Sequence, residues 1–194
     1  MIKNTETCPA LQDSSTLRYL QNMLMITQFK VKYNSKTKIY TVKVEQISYC
    51  PLCGGDLSVR DSRKRGVIDS GGEKKTFKLR RLKCGSCDKL HIELPDIIQP
   101  FKHYAADVIE SALDGTDYCP AETSTIKRWR KWFSAAVPYI ERVLAAIKLT
   151  NLSNSINLLK YSSLIDHIRA GGRGWLRRLT QMLVNSGGRL AAEG

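Results

Sequence analysis

Two identical cysteine pairs constrain the fold of this chain more than any other feature. Cys50 and Cys53 form one pair, Cys84 and Cys87 form the other, and thirty residues separate the two pairs. The C-x2-C spacing lets one tight turn present two thiolates to a single metal ion, and two such turns complete a tetrahedral site of four sulfurs. Adjacent glycines permit the positive φ angles that these turns need. We therefore predict one structural zinc ion bound by these four cysteines.

Other uses of the cysteines fit less well. Disulfides need an oxidising compartment, and the polar N-terminus lacks the apolar segment of an export signal. A redox pair does not need a second copy, and four thiolates leave no open position for catalysis at the metal. Iron in the same site stays an alternative. Cys8 and Cys119 have no partner at ligand spacing and are predicted to be free thiols. His91, four residues after Cys87, could enter the metal shell, but with four cysteines available it is predicted to pack or to lie on the surface.

The chain is strongly basic. Its 194 residues include 31 lysines and arginines against 18 acids, a formal net charge of +13, and 42% of them are hydrophobic, which suits a packed core. Ten of the basic residues lie within 60–83, where only three acids accompany them, and a second cluster lies within 127–131. Basic residues that serve solubility alone would be scattered and not clustered. The clusters therefore favour a polyanionic partner, of which nucleic acid is the usual one.

The first half of the chain is predicted to be rich in β-strands. Residues 37–47 contain the β-branched and aromatic residues typical of a strand. Alternating segments on both sides of Gly71 predict a long β-hairpin that carries the basic residues, and the segment after Cys87 predicts one more strand. Residues 16–33 are interpreted as a short helix that runs into a strand. Two metal-binding turns joined by a hairpin and followed by a strand make a zinc ribbon.

The second half is predicted to be helical. Apolar residues recur at helical spacing over 101–113, and further helices are predicted over 123–133, 134–149 and 155–170 and from Trp175 onwards. The 123–133 helix has Ile126, Trp129 and Phe133 on one face and basic residues on the other. A basic helix that follows another helix after a short connection has the outline of a helix-turn-helix, whose second helix enters the DNA major groove.

The motifs CPLCGG, RRLKCGSC, LHIELPDIIQPFKHYAADVIESALDG and CPAETSTIKRWRKWF, in this order around the basic hairpin, resemble an uncharacterised bacterial family catalogued as a domain of unknown function. That family occurs in Gram-positive genomes and their mobile elements. Over roughly residues 48–134 the chain also resembles the N-terminal zinc-ribbon and helix-turn-helix part of insertion-sequence transposases. The Ser-Thr-Ile-Lys-Arg-Trp stretch is similar to the recognition helix of such domains. The resemblance implies DNA contacts by the following residues: Ser124, Thr125, Lys127, Arg128 and Lys131.

These observations predict an α+β fold in which a β-rich zinc ribbon precedes an all-helical half with a helix-turn-helix-like pair. The predicted organisation is a disordered tail over 1–15, a zinc-ribbon domain over 16–99, a helix-turn-helix-like segment over 100–134 and a helical region over 135–194. The basic charge of the hairpin adds further predicted DNA contacts: Arg63, Lys64, Arg65, Lys78, Arg80 and Arg81.

The predicted function is that of a non-enzymatic, zinc-containing protein that binds double-stranded DNA in the bacterial cytoplasm, at the nucleoid. Its expected role is to regulate a mobile element or prophage or to assist a recombinase or transposase, including the control of integration versus excision. The C-terminal helices would bind that partner or form a homodimer, with no membrane involved. The alternative is a zinc-ribbon interaction module that binds a recombinase or polymerase without reading DNA. The catalytic half of a transposase is not expected, because the acids after residue 134 are only Glu141, Asp166 and Glu193. A nuclease fits poorly, because the sequence has no paired histidines or clustered carboxylates.

Overall fold

The computed structural model describes residues 22–116, 118–150 and 162–186. Within them, strands fill the first half and helices the second, which confirms the predicted α+β class. The strands are β1 (Met23–Ile26), β2 (Phe29–Asn34), β3 (Ile39–Val44), β4 (Leu57–Ile68), β5 (Lys74–Cys84) and β6 (Leu90–Pro95). The helices are α1 (Ala106–Asp114), α2 (Thr123–Thr150), α3 (Leu164–Ala170) and α4 (Trp175–Asn185). The predicted tail over 1–15 lies outside the described residues.

Strand β5 is the centre of the sheet. Along one edge it pairs antiparallel with β4 over its whole length. Its other edge is shared, because β3 pairs in parallel with the first half of β5 and β6 pairs antiparallel with the second half. β2 pairs with β3 and β1 pairs with β6 at the two ends of the sheet. The predicted hairpin and the predicted strands over 37–47 and after Cys87 are thereby confirmed.

The β4–β5 hairpin is closed by a tight turn at the predicted position. Gly72 has a left-handed φ of 80°, and its N–H donates to the Asp69 carbonyl at 3.0 Å. Towards the other end of the hairpin the register shifts between Val59 and Asp61, so that Arg60 is the extra residue of a β-bulge. The bulge explains how twelve residues of β4 pair with eleven of β5.

The described part of residues 16–33, for which the sequence predicts a short helix running into a strand, contains strands and no helix. Residues from Met23 to Ile26 form β1, which runs parallel to β6, and β2 follows after two residues. All four residues of β1 are buried, so the apolar run MLMI reflects a strand covered on both faces and not a helix face. Residues 16–21 lie outside the described part of the chain.

The helix predicted from Phe101 begins only at Ala106. Before it, Ile98 bridges Ala105, and Tyr104 bridges Ile68 at the end of β4. The Ala105 N–H donates to the Ile68 carbonyl at 2.9 Å, so these residues satisfy their backbone groups against the hairpin and do not extend the helix. Gly115, with a φ of 69°, ends α1 as predicted.

A single 28-residue helix, α2, replaces the two helices predicted over 123–133 and 134–149. The predicted boundary at residue 134 falls inside it, and so does Pro138. A proline removes one helical hydrogen bond, but Ala136, Ile140 and Leu144 bury the same apolar face on both sides of it. That continuous packing keeps the helix together where local propensity alone predicts a break.

The remaining helices close two apolar cores. In the first core Trp129, Phe133 and Trp175 meet between the helices, and in the second Val184 of α4 packs among apolar residues of the sheet. Of the helix predicted over 155–170, the described part is α3, which begins after its cap Ser163.

None of the helices within residues 22–116, 118–150 and 162–186 combines the length and apolarity of a membrane span.

Candidate metal centre and basic surface

The two cysteine pairs lie on turns of the same geometry. In the first turn the Gly54 N–H donates to the Cys50 carbonyl at 2.8 Å, and the Cys50 N–H donates to the Gly55 carbonyl at 2.9 Å. In the second turn Asp88 and Lys89 take the corresponding places, with donor–acceptor distances of 3.2 and 2.9 Å to the backbone of Cys84. The second turn is joined to the first through the Gly85 N–H, which donates to the Asp56 carbonyl at 3.1 Å.

The four thiol groups converge on one point. Their sulfur atoms all lie within 4.8 Å of one another. The Cys50 and Cys87 sulfurs are 3.6 Å apart, and those of Cys53 and Cys84 are 3.5 Å apart. A tetrahedral ion with metal–sulfur bonds of about 2.3 Å has sulfur–sulfur edges of about 3.8 Å. These cysteines therefore fit a single four-coordinate metal ion, which is the site that the sequence predicts.

The turns supply the backbone conformation and the polarity that this site requires. Gly54 and Asp88 occupy the equivalent position in each turn and both have a positive φ, 74° and 61°. Hydrogen bonds from the backbone N–H groups of Cys87 and Ser86 lower the pKa of the Cys84 thiol to about 6, although desolvation raises it. The N–H groups of the second turn therefore favour the thiolate of Cys84, which is the metal-binding form, whereas the neighbouring thiols raise the pKa of Cys53 to about 12.

His91 lies closer to the centre than the sequence indicates. Its ring is fully buried, and Nε2 is 3.3 Å from the Cys50 sulfur. A metal-bound thiolate only accepts hydrogen bonds, so Nε2 carries the proton when a metal is present. His91 lies on β6 opposite Leu82 of β5, and from there it would donate a hydrogen bond to the metal-binding sulfur of Cys50. The spacing from Cys87 leaves His91 open as a ligand or a packing residue, and the pairing of β5 with β6 is what brings it to Cys50.

Two of the predicted DNA contacts on the hairpin are engaged within the protein. Arg80 binds the buried carboxylate of Glu93 through two hydrogen bonds of 2.5 and 2.9 Å. Arg81 forms a two-bond pair with Asp61, and that ion pair lowers the pKa of the Asp61 carboxyl. Both guanidinium groups thus have much of their charge balanced by the sheet itself.

The predicted hairpin contacts are divided between the two faces of the sheet. Arg63 is opposite Leu79 and Arg65 is opposite Phe77, whereas Lys64 is opposite Lys78. Because directly opposed residues share a face and successive residues alternate, Arg63 and Arg65 lie on one face and Lys64 on the other. The sequence prediction treats these three consecutive residues as one contact patch, but in the structure they are divided between the two faces of the sheet.

The loop over 101–103 joins the hairpin to helix α2. Arg65 donates to the backbone carbonyls of Gln99 and Lys102 at 2.9 and 3.0 Å. The Lys102 ammonium lies 4.1 Å from the centre of the Trp132 ring. Burial lowers the pKa of Lys102, and the nearby charge of Arg128 lowers it further. Arg65 and Lys102, both half-buried, and the exposed Arg128 thus follow one another from the hairpin to α2, and this group is called the basic surface below.

The first turns of α2 present the other predicted contacts. Ser124, Lys127, Arg128 and Lys131 are exposed, and Thr125 is half-buried. On the opposite face Trp129 is buried and makes an edge-to-face contact with Tyr104, with ring centres 5.0 Å apart. The division of this segment into a basic face and a core face is thus present in the structure.

The structure also places one of the remaining thiols. Cys119 is half-buried between α1 and α2, and its sulfur lies 3.9 Å from the Val108 carbonyl, away from the four-cysteine cluster. It is a free thiol, as predicted. Cys8 lies outside the described residues.

The profile of a family described as "Domain of unknown function (DUF6431)" matches residues 50–129. The matched region begins at Cys50 and ends at Trp129, so it contains the four cysteines, the hairpin and the first turns of α2. No curated protein and no solved structure matches the chain. The resemblance to a family of unknown function over roughly residues 48–134 is thereby supported, and its description names no activity.

Proposed function

We propose that this protein is a non-enzymatic, zinc-stabilised DNA-binding protein. The observation that carries the proposal is the basic surface through Arg65, Lys102 and Arg128, which joins the hairpin to the first turns of α2. Two segments far apart in sequence thus contribute cations to one side of the molecule. A polyanion long enough to touch both is the partner that such a surface fits.

Zinc is the metal that the ligand set favours. Four cysteine sulfurs at tetrahedral spacing are typical of structural zinc, with all coordination positions taken by protein. The two equivalent turns, the hairpin between them and strand β6 support the assignment of a zinc ribbon. The ion would hold the open end of the hairpin together, where the sheet alone buries little apolar surface, and so fix its cations in place.

The exposed face of the hairpin supports a polyanionic partner independently. Lys64 and Lys78 lie directly opposite each other on neighbouring strands. Like charges in this position destabilise a sheet, and an anion bound between them removes the repulsion. The regularly spaced phosphates of DNA are anions that could bind between these two lysines.

In this proposal the helices α1 and α2 act as a helix-turn-helix-like pair. The connection between them, residues 115–122, contains no helix among its described residues, so α2 would approach DNA with its N-terminal turns. Lys127 and Lys131 would bind phosphates, and Arg128 would reach a base edge or a phosphate. Arg128 is held towards this end by a 3.0 Å hydrogen bond to Thr125.

The setting that we propose is a mobile element or prophage, and this part rests on the resemblance to transposase N-terminal regions. There the protein would act as a regulator or as an accessory factor for a recombinase or transposase, including control of integration versus excision. The C-terminal helices would bind that enzyme or form a homodimer. The alternative is an interaction module in which the same cations bind an acidic recombinase or polymerase surface.

Salt dependence of binding to a duplex of random sequence tests the proposal. The wild-type chain should bind with a log–log slope set by the number of phosphates contacted, about −0.9 for each one. Replacing Lys127, Arg128 and Lys131 together by alanine should weaken binding and reduce that slope by up to about three contacts. These side chains are exposed, so the melting temperature should hardly change.

A matched control is replacement of Lys30, Lys32 and Lys43 by alanine. It removes equal charge from β2 and β3, which lie at the end of the sheet opposite to β1. This variant should retain the wild-type slope. If the wild-type chain binds no duplex at low salt, or if both triple variants lose affinity equally, the proposed DNA surface is wrong. Co-purification of a protein partner that depends on Arg128 would then favour the interaction module.

A further inference from the structure

An open groove lies between the hairpin, strand β6 and the loop over 101–103. Its volume is about 900 Å³. Its apolar lining includes Leu79, Leu90 and Ile92, and Phe101 and Lys102 line it as well. The groove is therefore part of the basic surface described above, but it differs from the rest of that surface in being concave and partly apolar.

The charges around the groove are mostly positive. Arg63, Arg65 and Lys89 are among the residues that line it, together with Lys102. The acid that lines it, Asp88, is already engaged, because its carboxylate lies 2.7 Å from the Lys83 ammonium. A ligand in this groove would meet positive charge along the rim, which complements a chain of phosphates.

Phe101 is the unusual residue of the groove. It is 50% exposed, although it is large and apolar. Its φ of 58° is left-handed, a conformation that costs a bulky side chain of this kind energy and that glycine or asparagine would adopt more easily. The exposed half of this side chain lies at the edge of a basic groove, where a ligand in the groove can contact it.

We propose that this groove binds an unpaired, single-stranded segment of nucleic acid, with one base stacked on Phe101. Phosphates on either side of that base would lie against Arg63 and Lys89. The inference rests on the proposed DNA-binding function and specifies that part of the bound DNA is single-stranded. The protein would hold DNA where the two strands are separated, at a duplex end or an opened site.

The shape of the groove favours a single strand over a duplex. In a duplex the bases are stacked inside, so an aromatic ring in a concave, apolar site gains nothing from them. In a single strand each base offers a face for stacking, and a basic groove follows the backbone whatever the sequence. The groove thus combines the two features that single-strand sites share, while the exposed cations of α2 suit a duplex.

Fluorescence anisotropy with oligothymidine of about 15 nucleotides and with a blunt duplex of equal length tests the inference. Phe101→Asn removes the ring and suits the left-handed backbone, so the protein should fold. It should weaken oligothymidine binding by about tenfold and leave duplex binding unchanged. Phe101→Trp should retain oligothymidine binding. The control, Tyr33→Asn, changes an equally exposed aromatic on β2 and should alter neither affinity.

The outcomes separate this inference from the proposed function. Duplex binding that depends on Lys127, Arg128 and Lys131, without any effect of Phe101→Asn on oligothymidine, overturns the single-strand site and leaves the duplex proposal standing. Failure of the wild-type chain to bind either DNA overturns both. Equal affinity for polyglutamate and oligothymidine, again unaffected by Phe101→Asn, would identify the groove as a site for acidic protein and refute a base-stacking role.

Discussion

The side-chain amide of Asn185, in the last turn of α4, pairs with the backbone of Met25 in β1. Its Oδ1 accepts a hydrogen bond from the Met25 N–H at 2.9 Å, and its Nδ2 donates to the Met25 carbonyl at 3.0 Å. These are the two bonds that another strand would make at this edge of the sheet. Asn185 therefore ties the helical half of the chain to the strand-rich half and shields part of an edge strand.

Replacing Asn185 by alanine should lower the free energy of unfolding by about 1–2 kcal/mol, since two hydrogen bonds to a buried strand are lost. Urea denaturation followed by circular dichroism measures this. Gln181→Ala, one turn earlier on the same helix, is the control and should cost less than about 0.5 kcal/mol. Equal stability of the two variants would mean that the contact between Asn185 and Met25 does not join the two halves.

Gly55 should tolerate alanine much less well than Gly85. A Cβ at Gly55 would collide with the Ser86 hydroxyl and lie 2.9 Å from the Ser86 Cβ and 3.3 Å from the Cys84 sulfur, whereas at Gly85 the nearest atom would be 4.0 Å away. Gly55→Ala should therefore separate the two turns, destabilise the metal-bound protein by about 2 kcal/mol and weaken zinc binding. Competition with a chromophoric chelator compares the variants. A Gly55→Ala protein that binds zinc as tightly as Gly85→Ala would contradict the packing of the two turns described above.

Removing the donor of His91 should weaken metal binding without removing a ligand. His91→Leu should lower zinc affinity by about tenfold or more, in the range seen when groups that support metal ligands are lost. His91→Asn, which keeps an N–H donor, should restore part of that affinity. With cobalt in place of zinc, the sulfur-to-metal absorption bands should shift in His91→Leu but remain typical of four thiolates. Loss of those bands would make His91 a ligand in its own right.

The hairpin turn should lose stability in acid through Asp69. The Lys75 ammonium, and the Glu73 and Gly71 N–H groups, lower the pKa of the Asp69 carboxyl, although desolvation raises it. Because the pKa is lower in the folded state, the stabilisation is present above the ordinary value of about 3.9 and is lost as the pH falls through the folded value. Asp69→Ala should therefore cost about 1 kcal/mol near pH 7 and much less below about pH 3.

Glu73→Ala is the control for this prediction, because Glu73 contributes backbone groups to the same turn. Its stability should follow that of the wild type at both pH values. A constant difference between Asp69→Ala and the wild type from neutral to acid pH would show that the ionised carboxylate does not stabilise the turn.

The cysteine cluster and the hairpin could be predicted from the sequence because their signals are local. Two spaced cysteine pairs and a glycine-rich turn between alternating segments each specify a structure within a few residues. The core face of α2 was predictable for the same reason, because Trp129 and Phe133 recur at helical spacing. Each of these features depends on neighbours along the chain.

What could not be predicted depends on partners far away in sequence. The apolar spacing from Phe101 suits a helix, but the backbone of Ala105 binds Ile68, which is distant in sequence. The contact of His91 with Cys50 likewise exists only because β6 pairs with β5. The division of Lys64 from its two arginine neighbours follows from the strand register, which charge counting along the sequence does not include.

The bulge at Arg60 determines which changes in chain length the hairpin can accept. Removing Arg60 would leave Val59 opposite Leu82 and Asp61 opposite Arg81, so both ends of the hairpin would keep their partners. Removing Lys64 instead would carry Arg63 to the opposite face, because every residue between the gap and the bulge would move by one place. The turn at one end and the cysteines at the other fix the register of the two strands between them. Related chains with hairpins of other lengths should therefore gain or lose residues at the bulge, or in matched pairs on both strands.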